Sequence, residues 1–133
     1  MANEIPDVPD DDESHPIPHL TRIDVATWLK NGGYYGVVVE RPMTDDTVSR
    51  ARILGKLTNY MEDFYSEAFR KRHGEPLPGK LIIYVALHPH TDKGILSFLE
   101  DCRPWMADNK VELIVRYLDP EDVDRQDATK TID

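Results

Sequence analysis

In LHPHTD, residues 87–92, two imidazoles and a carboxylate stand close together in sequence. His88, His90 and Asp92 offer nitrogen and oxygen donors suited to zinc or another divalent ion, and an imidazole titrating near neutrality is the natural general base. A second polar group, Glu40-Arg41 followed by Thr44 and Asp45, comes directly after Val37-Val38-Val39. Both groups end apolar runs that read as buried strands, and in open α/β sheets the ligand crevice lies beyond the carboxyl ends of such strands. If the two strands are neighbours, Glu40, Arg41, His88, His90 and Asp92 are the candidate ligand-binding residues, with His88 and His90 the candidate metal ligands. The same residues also have a structural explanation. Pro89 stops a strand, and Thr91 or Asp92 is placed to accept from the free amides of a following helix. On that reading the chain needs no cofactor, and no partner nucleophile for His88 stands in the adjacent sequence.

The elements that must position these groups follow from periodicity. TRIDVATWL, residues 21–29, alternates in polarity and meets YYGVVVE through Lys30-Asn31-Gly32-Gly33, which predicts an N-terminal β-hairpin. A short helix over the same residues, using Ile23, Ala26 and Leu29, is the competing assignment. Val37 to Val39 reads as a central strand. Thr44-Asp45-Asp46-Thr47 supplies capping oxygens for a long helix whose apolar positions are Val48, Ala51, Leu54, Leu57, Met61, Phe64 and Ala68. Arg50, Arg52, Lys56 and Asp63 fall on its other faces. Arg70-Lys71-Arg72-His73-Gly74 closes the helix with cations and a glycine. Leu81 to Leu87 is a second buried strand. Ile95, Phe98, Leu99, Cys102 and Met106 form the stripe of a second helix with Pro104 inside it, and Val111 to Leu118 is a last strand. The expected fold class is α/β, a two-layer or three-layer sandwich with a mixed, mostly parallel sheet of three to four strands and two main helices.

Charge divides the chain. The net charge is −9, yet residues 1–19 hold six acids and no Lys or Arg, and residues 119–133 hold six acids against Arg125 and Lys130. The expected organisation is a disordered acidic segment at 1–19, a single domain at 20–118 and a second disordered acidic segment at 119–133. A chain of 133 residues suits one core. No apolar run approaches the length that crosses a bilayer, and MANEIPDVPDDDE lacks the pattern of a secretory signal. One cysteine, Cys102, cannot make an internal disulfide and fits a packed position on its helix. The expected compartment is cytoplasmic. Asn31-Gly32-Gly33 precedes a strand and so lacks the geometry of a phosphate loop. The three cations and one histidine at 70–73 form a solvated helix end, and nucleic acid is not the expected partner.

KLTNYMEDFYSEAF, with VVVERPMTDD before it and LIIYVALHPHTDKGILSFLEDC and VELIVRYL after it, resembles a small uncharacterised bacterial family classed as a domain of unknown function, over about residues 21–118. The resemblance implies the order hairpin, helix, strand, helix, strand, and it brings no activity, cofactor or catalytic residue. The function expected from the residues is therefore a non-enzymatic cytoplasmic module that binds another protein or a second copy of itself, with an immunity or inhibitor protein as one form. The alternative is a metal-dependent or small-ligand enzyme built on the His88/His90 loop.

Overall fold

β-Branched and aromatic residues place two strands at the centre of the sheet: β2 (Gly32–Val39) and β3 (Leu81–Leu87) pair in parallel, with Val37 beside Val85 and Val39 beside Leu87. The computed structural model describes residues 9–118. β1 (Val25–Leu29) joins β2 as an antiparallel hairpin, and β4 (Glu112–Tyr117) lies parallel to β3 on the other side. The sheet order is β1-β2-β3-β4. The sheet is thus mixed, parallel on one side of β2 and antiparallel on the other. Residues 25–29 are strand, so the helical alternative for this stretch is excluded. Within the Lys30 to Gly33 connection the turn itself is Lys30-Asn31, because Leu29 already faces Gly32 and Asn31 takes the left-handed φ of 64°.

Three helices connect these strands, one more than the two main helices expected. α1 (Thr47–Phe64) starts where the capping residues predict, with Asp46 Oδ1 accepting from the Ser49 amide at 2.8 Å. It ends earlier than its apolar spacing implies. Ser66 caps a new helix, α2 (Glu67–His73), its Oγ accepting from the Phe69 amide at 3.1 Å. The local competition of a serine hydroxyl for helix amides outweighs the continuity of the stripe. α3 (Lys93–Asp108) runs through Pro104 without interruption.

Because β2, β3 and β4 advance in one direction, right-handed crossovers put α1 and α3 on the same face of the sheet. Tyr35, Val37, Val39, Ile83, Val85, Leu87 and Leu113 form that face, and they share one core with Ile53, Leu57, Phe64, Ile95, Leu99, Cys102 and Met106. The architecture is a two-layer one. The opposite face carries Val25, Leu29, Tyr34, Val38, Ile82, Tyr84 and Ile114, and no helix among the described residues covers it.

The described N-terminal residues are not the loose tail expected for 1–19. Residues 9–24 form a strap that folds on itself through Asp12 N–H to Pro18 O (2.8 Å) and Leu20 N–H to Asp10 O (3.0 Å), and it buries Ile17 and Leu20 in the core. Two apolar anchors among prolines are enough to fix a segment whose composition reads as acidic and polar. Residues 1–8 and 119–133, on which the remaining acidic-segment expectations fall, lie outside the described residues.

Candidate functional site

The β3–α3 loop keeps His88, His90 and Asp92 on the surface side of a structural joint. Thr91 Oγ1 accepts from the Met43 amide at 3.2 Å, and Asp92 Oδ2 accepts from the Asp45 amide at 2.8 Å, while the Asp92 amide donates to Met43 O. These residues therefore clasp the β2–α1 loop. Neither caps α3 with its side chain as the sequence suggests, since Asp92 occupies the N-cap position without a side-chain bond to the helix amides. Their acceptors are taken by a neighbouring loop instead. Gly94 permits that contact: a Cβ there would stand 1.9 Å from Asp45 Oδ2. Within the loop, His88 Nδ1 accepts from the His90 amide at 3.0 Å and the two rings meet edge to face at 5.3 Å.

Among the described residues, no three His, Cys, Asp or Glu side chains are grouped to hold a metal ion. Glu40, His88, His90 and Asp92 thus do not form such a group. Glu40 and Arg41 instead line a cavity of about 970 Å³, and the histidine loop contributes nothing to its wall. This cavity lies at the carboxyl end of the parallel strands, on the uncovered face of the sheet. Its floor is made by Val25, Val38, Tyr84 and Ala86, and its roof by the strap. The Tyr84 ring lies across Gly36, where a Cβ would approach the ring to 2.3 Å, and the Arg116 guanidinium sits 5.1 Å from that ring's centre.

The roof is fixed by side chains of α1 that lie off its apolar stripe, Arg52 and Lys56 foremost. Arg52 is 0% exposed. Its Nε donates to Ile17 O (2.8 Å), and its two Nη groups donate to Pro9 O (2.6 Å) and Asp10 O (3.1 Å). One turn on, Lys56 is 1% exposed and donates from Nζ to His19 O (2.7 Å) and Asp24 Oδ1 (2.9 Å). Burial pulls the Lys56 ammonium below its usual range, against the opposing hydrogen bond and charge of Asp24. Asn59 donates to Leu20 O, and Tyr60 Oη both accepts from the Asp24 amide and donates to Arg22 O. The spacing of Arg52, Lys56, Asn59 and Tyr60 is itself helical, a polar stripe beside the apolar one, and that is the signal from which the clasp is legible.

Asp24 is the hinge of this arrangement. β1 pairs with β2 only as far as Gly36, and beyond it Asp24 Oδ2 accepts from the Val38 amide at 3.0 Å. One carboxylate thus extends the sheet edge and neutralises a buried lysine. On the far side of the strap, His15 Nδ1 accepts from the Ile17 amide at 2.9 Å, which leaves Nε2 to donate to Ser49 Oγ at 2.9 Å. Burial, followed by the nearby Arg52 charge, lowers the His15 pKa, with Asp12 and Asp46 opposing and Arg41 assisting. Arg41 Nη2 donates to the carbonyls of Glu13 and His15 and holds the strap over the cavity.

Other candidate groups are absorbed by packing. Tyr35 donates to Asp63 and stacks on Phe64 at 4.2 Å, and its hydroxyl pKa is raised, first by burial. Cys102 is buried, which pushes its thiol up to about 11 and away from nucleophilic use at neutral pH. No helix among the described residues is long and apolar enough to cross a membrane. Comparison of the chain with protein-family models, with curated proteins and with solved structures finds no match.

Proposed function

We propose that this chain is a cytoplasmic binding module, without catalytic chemistry, that engages a basic partner protein through the uncovered face of its sheet. The observation that carries the reading is the composition of that face. Val25, Leu29, Tyr34 and Ile114 are 39%, 44%, 40% and 41% exposed, and the strand register puts all of them on the side away from the helices. Four-stranded sheets with one solvated side ordinarily alternate apolar and polar residues, so an apolar outer side marks a contact surface. The net charge of −9 favours a cationic partner, because electrostatic complementarity accelerates encounter and selects among partners.

The test is retention of proteins from the source cell on the immobilised chain, compared with the double variant Tyr34→Ser, Ile114→Ser. The wild-type chain is expected to retain a basic protein that the variant does not, with retention weakening as salt is raised. Equal retention by the variant would remove the sheet face from the reading. A dimer seen by light scattering, dissolved by the same substitutions, would put a second copy on this face in place of the partner.

A further inference from the structure

We propose that the cavity beneath the strap binds a small amphipathic anion, an apolar or aromatic body bearing a carboxylate, sulfonate or phosphate. The body is set by the floor: Val25, Val38 and Ala86 with the Tyr84 ring make an apolar surface at the carboxyl ends of parallel strands, where open α/β sheets take their ligands. Its volume of about 970 Å³ is at the upper end of the range for small-molecule sites.

The anion is set by a mismatch of charge in the wall. Asp24 is committed to Lys56 and the Val38 amide, and Glu13 lies 3.4 Å from the His19 ring. That sets the guanidinium groups of Arg22, Arg41 and Arg116 against the carboxylates of Glu13 and Glu40, an excess of cations in the wall. Arg41 is aimed by its bonds to strap carbonyls, which fix the group without cancelling its charge. Arg116 is held over Tyr84 by its ring contact, and the Arg22 side chain has no hydrogen-bond or ion-pair partner among the described residues. Guanidinium forks placed at the rim of an apolar floor are the arrangement that recognises an oxyanion attached to a hydrophobic body.

The experiment uses two probes of nearly the same shape, 8-anilinonaphthalene-1-sulfonate, which carries the anion, and N-phenyl-1-naphthylamine, which does not. Fluorescence titration of the full chain is expected to show saturable binding of the sulfonate. The double variant Arg22→Ala, Arg116→Ala should weaken it by about tenfold or more, the scale of a charge-assisted hydrogen bond. The neutral probe should bind both proteins alike. Arg50→Ala, which removes a cation from α1 outside the cavity wall, should leave sulfonate binding unchanged. The proposal is overturned if the sulfonate does not saturate, if the double variant binds it as the native chain does, or if both probes respond equally to the substitutions. It is overturned as well if Tyr34→Ser, outside the cavity wall on the same sheet face, abolishes sulfonate binding. Loss of partner retention in Tyr34→Ser, Ile114→Ser with sulfonate binding intact separates this site from the protein-contact surface.

Discussion

The strap and the histidine loop are both pinned by polar side chains, but charge enters the two joints in opposite ways. In the β3–α3 loop, Thr91 and Asp92 are acceptors that take up amides of the β2–α1 loop, the Thr91 bond buried and the Asp92 bond open to water. Under the strap, Arg52 and Lys56 are donors sealed from water, and the Arg52 guanidinium is bonded to backbone carbonyls rather than to a carboxylate. A buried cation is costly unless its donors are met, and fixed carbonyl dipoles can meet them without a counter-ion. Losing a partner in the sealed joint strands a buried charge; losing one at the histidine loop does not.

That contrast can be broken most directly at Arg52. Replacing Arg52 with Ala leaves the carbonyls of Pro9, Asp10 and Ile17 without their donor and opens a void, and the expected loss of stability is about 3 kcal/mol or more. Arg72→Ala on exposed α2 is expected to change stability by no more than about 0.5 kcal/mol. Urea unfolding of the two variants measures both. Equal, small effects would mean that the strap contributes little to the fold.

A smaller effect is expected from acid. His15 is held neutral in the folded chain with its pKa lowered, so the unfolded chain binds the proton more readily. Its contribution to stability is complete above the unfolded pKa of about 6.5 and is lost as pH falls below that value toward the folded pKa. Protonation at Nδ1 also removes the acceptor for the Ile17 amide. The His15 ring signal in an NMR titration should have its midpoint below about 6.5. In His15→Gln, stability should vary less between neutral and mildly acid pH than in the native chain. A midpoint above that of a free histidine would reverse the sign and refute the strap geometry around this ring.

The smallest effect is expected at the other joint. His88→Ala and His90→Ala should each shift the urea midpoint by no more than about 0.5 kcal/mol in stability, and neither should alter metal content. Stoichiometric zinc in the native chain that disappears in both variants would restore the metal reading of this loop.

Strand and helix positions were legible because period and punctuation agreed. The alternation over residues 25–29, the β-branched run at 37–39 and the cap at Asp46 all appear where patterning puts them. The break at Ser66 was not, because a single hydroxyl decides it. The site was legible only by position. The carboxyl end of the parallel strands does hold a cavity, and Glu40 and Arg41 do line it, but the side chains of His88 and Asp92 are bonded within the loops and His90 is exposed. The strap is not legible for a different reason: acidic composition describes its surface, whereas Ile17, Leu20 and the backbone carbonyls that hold it are features composition does not weigh. Arg52 and Lys56 look solvated for the same reason, since a charge at helical spacing is usually at the surface.

The donors that grip the strap lie 35 to 43 residues further along the chain than the carbonyls they meet. In synthesis, then, the strap is fixed only after α1 has emerged, because the carbonyls of Pro9, Ile17 and His19 wait for the side chains of Arg52 and Lys56. Pro9, Pro16 and Pro18 cannot donate to a sheet ladder, and Asp10 to Glu13 repel their like on other chains. The composition that reads as a tail is thus suited to keeping a waiting strand partner out of the wrong pairing until its own helix arrives.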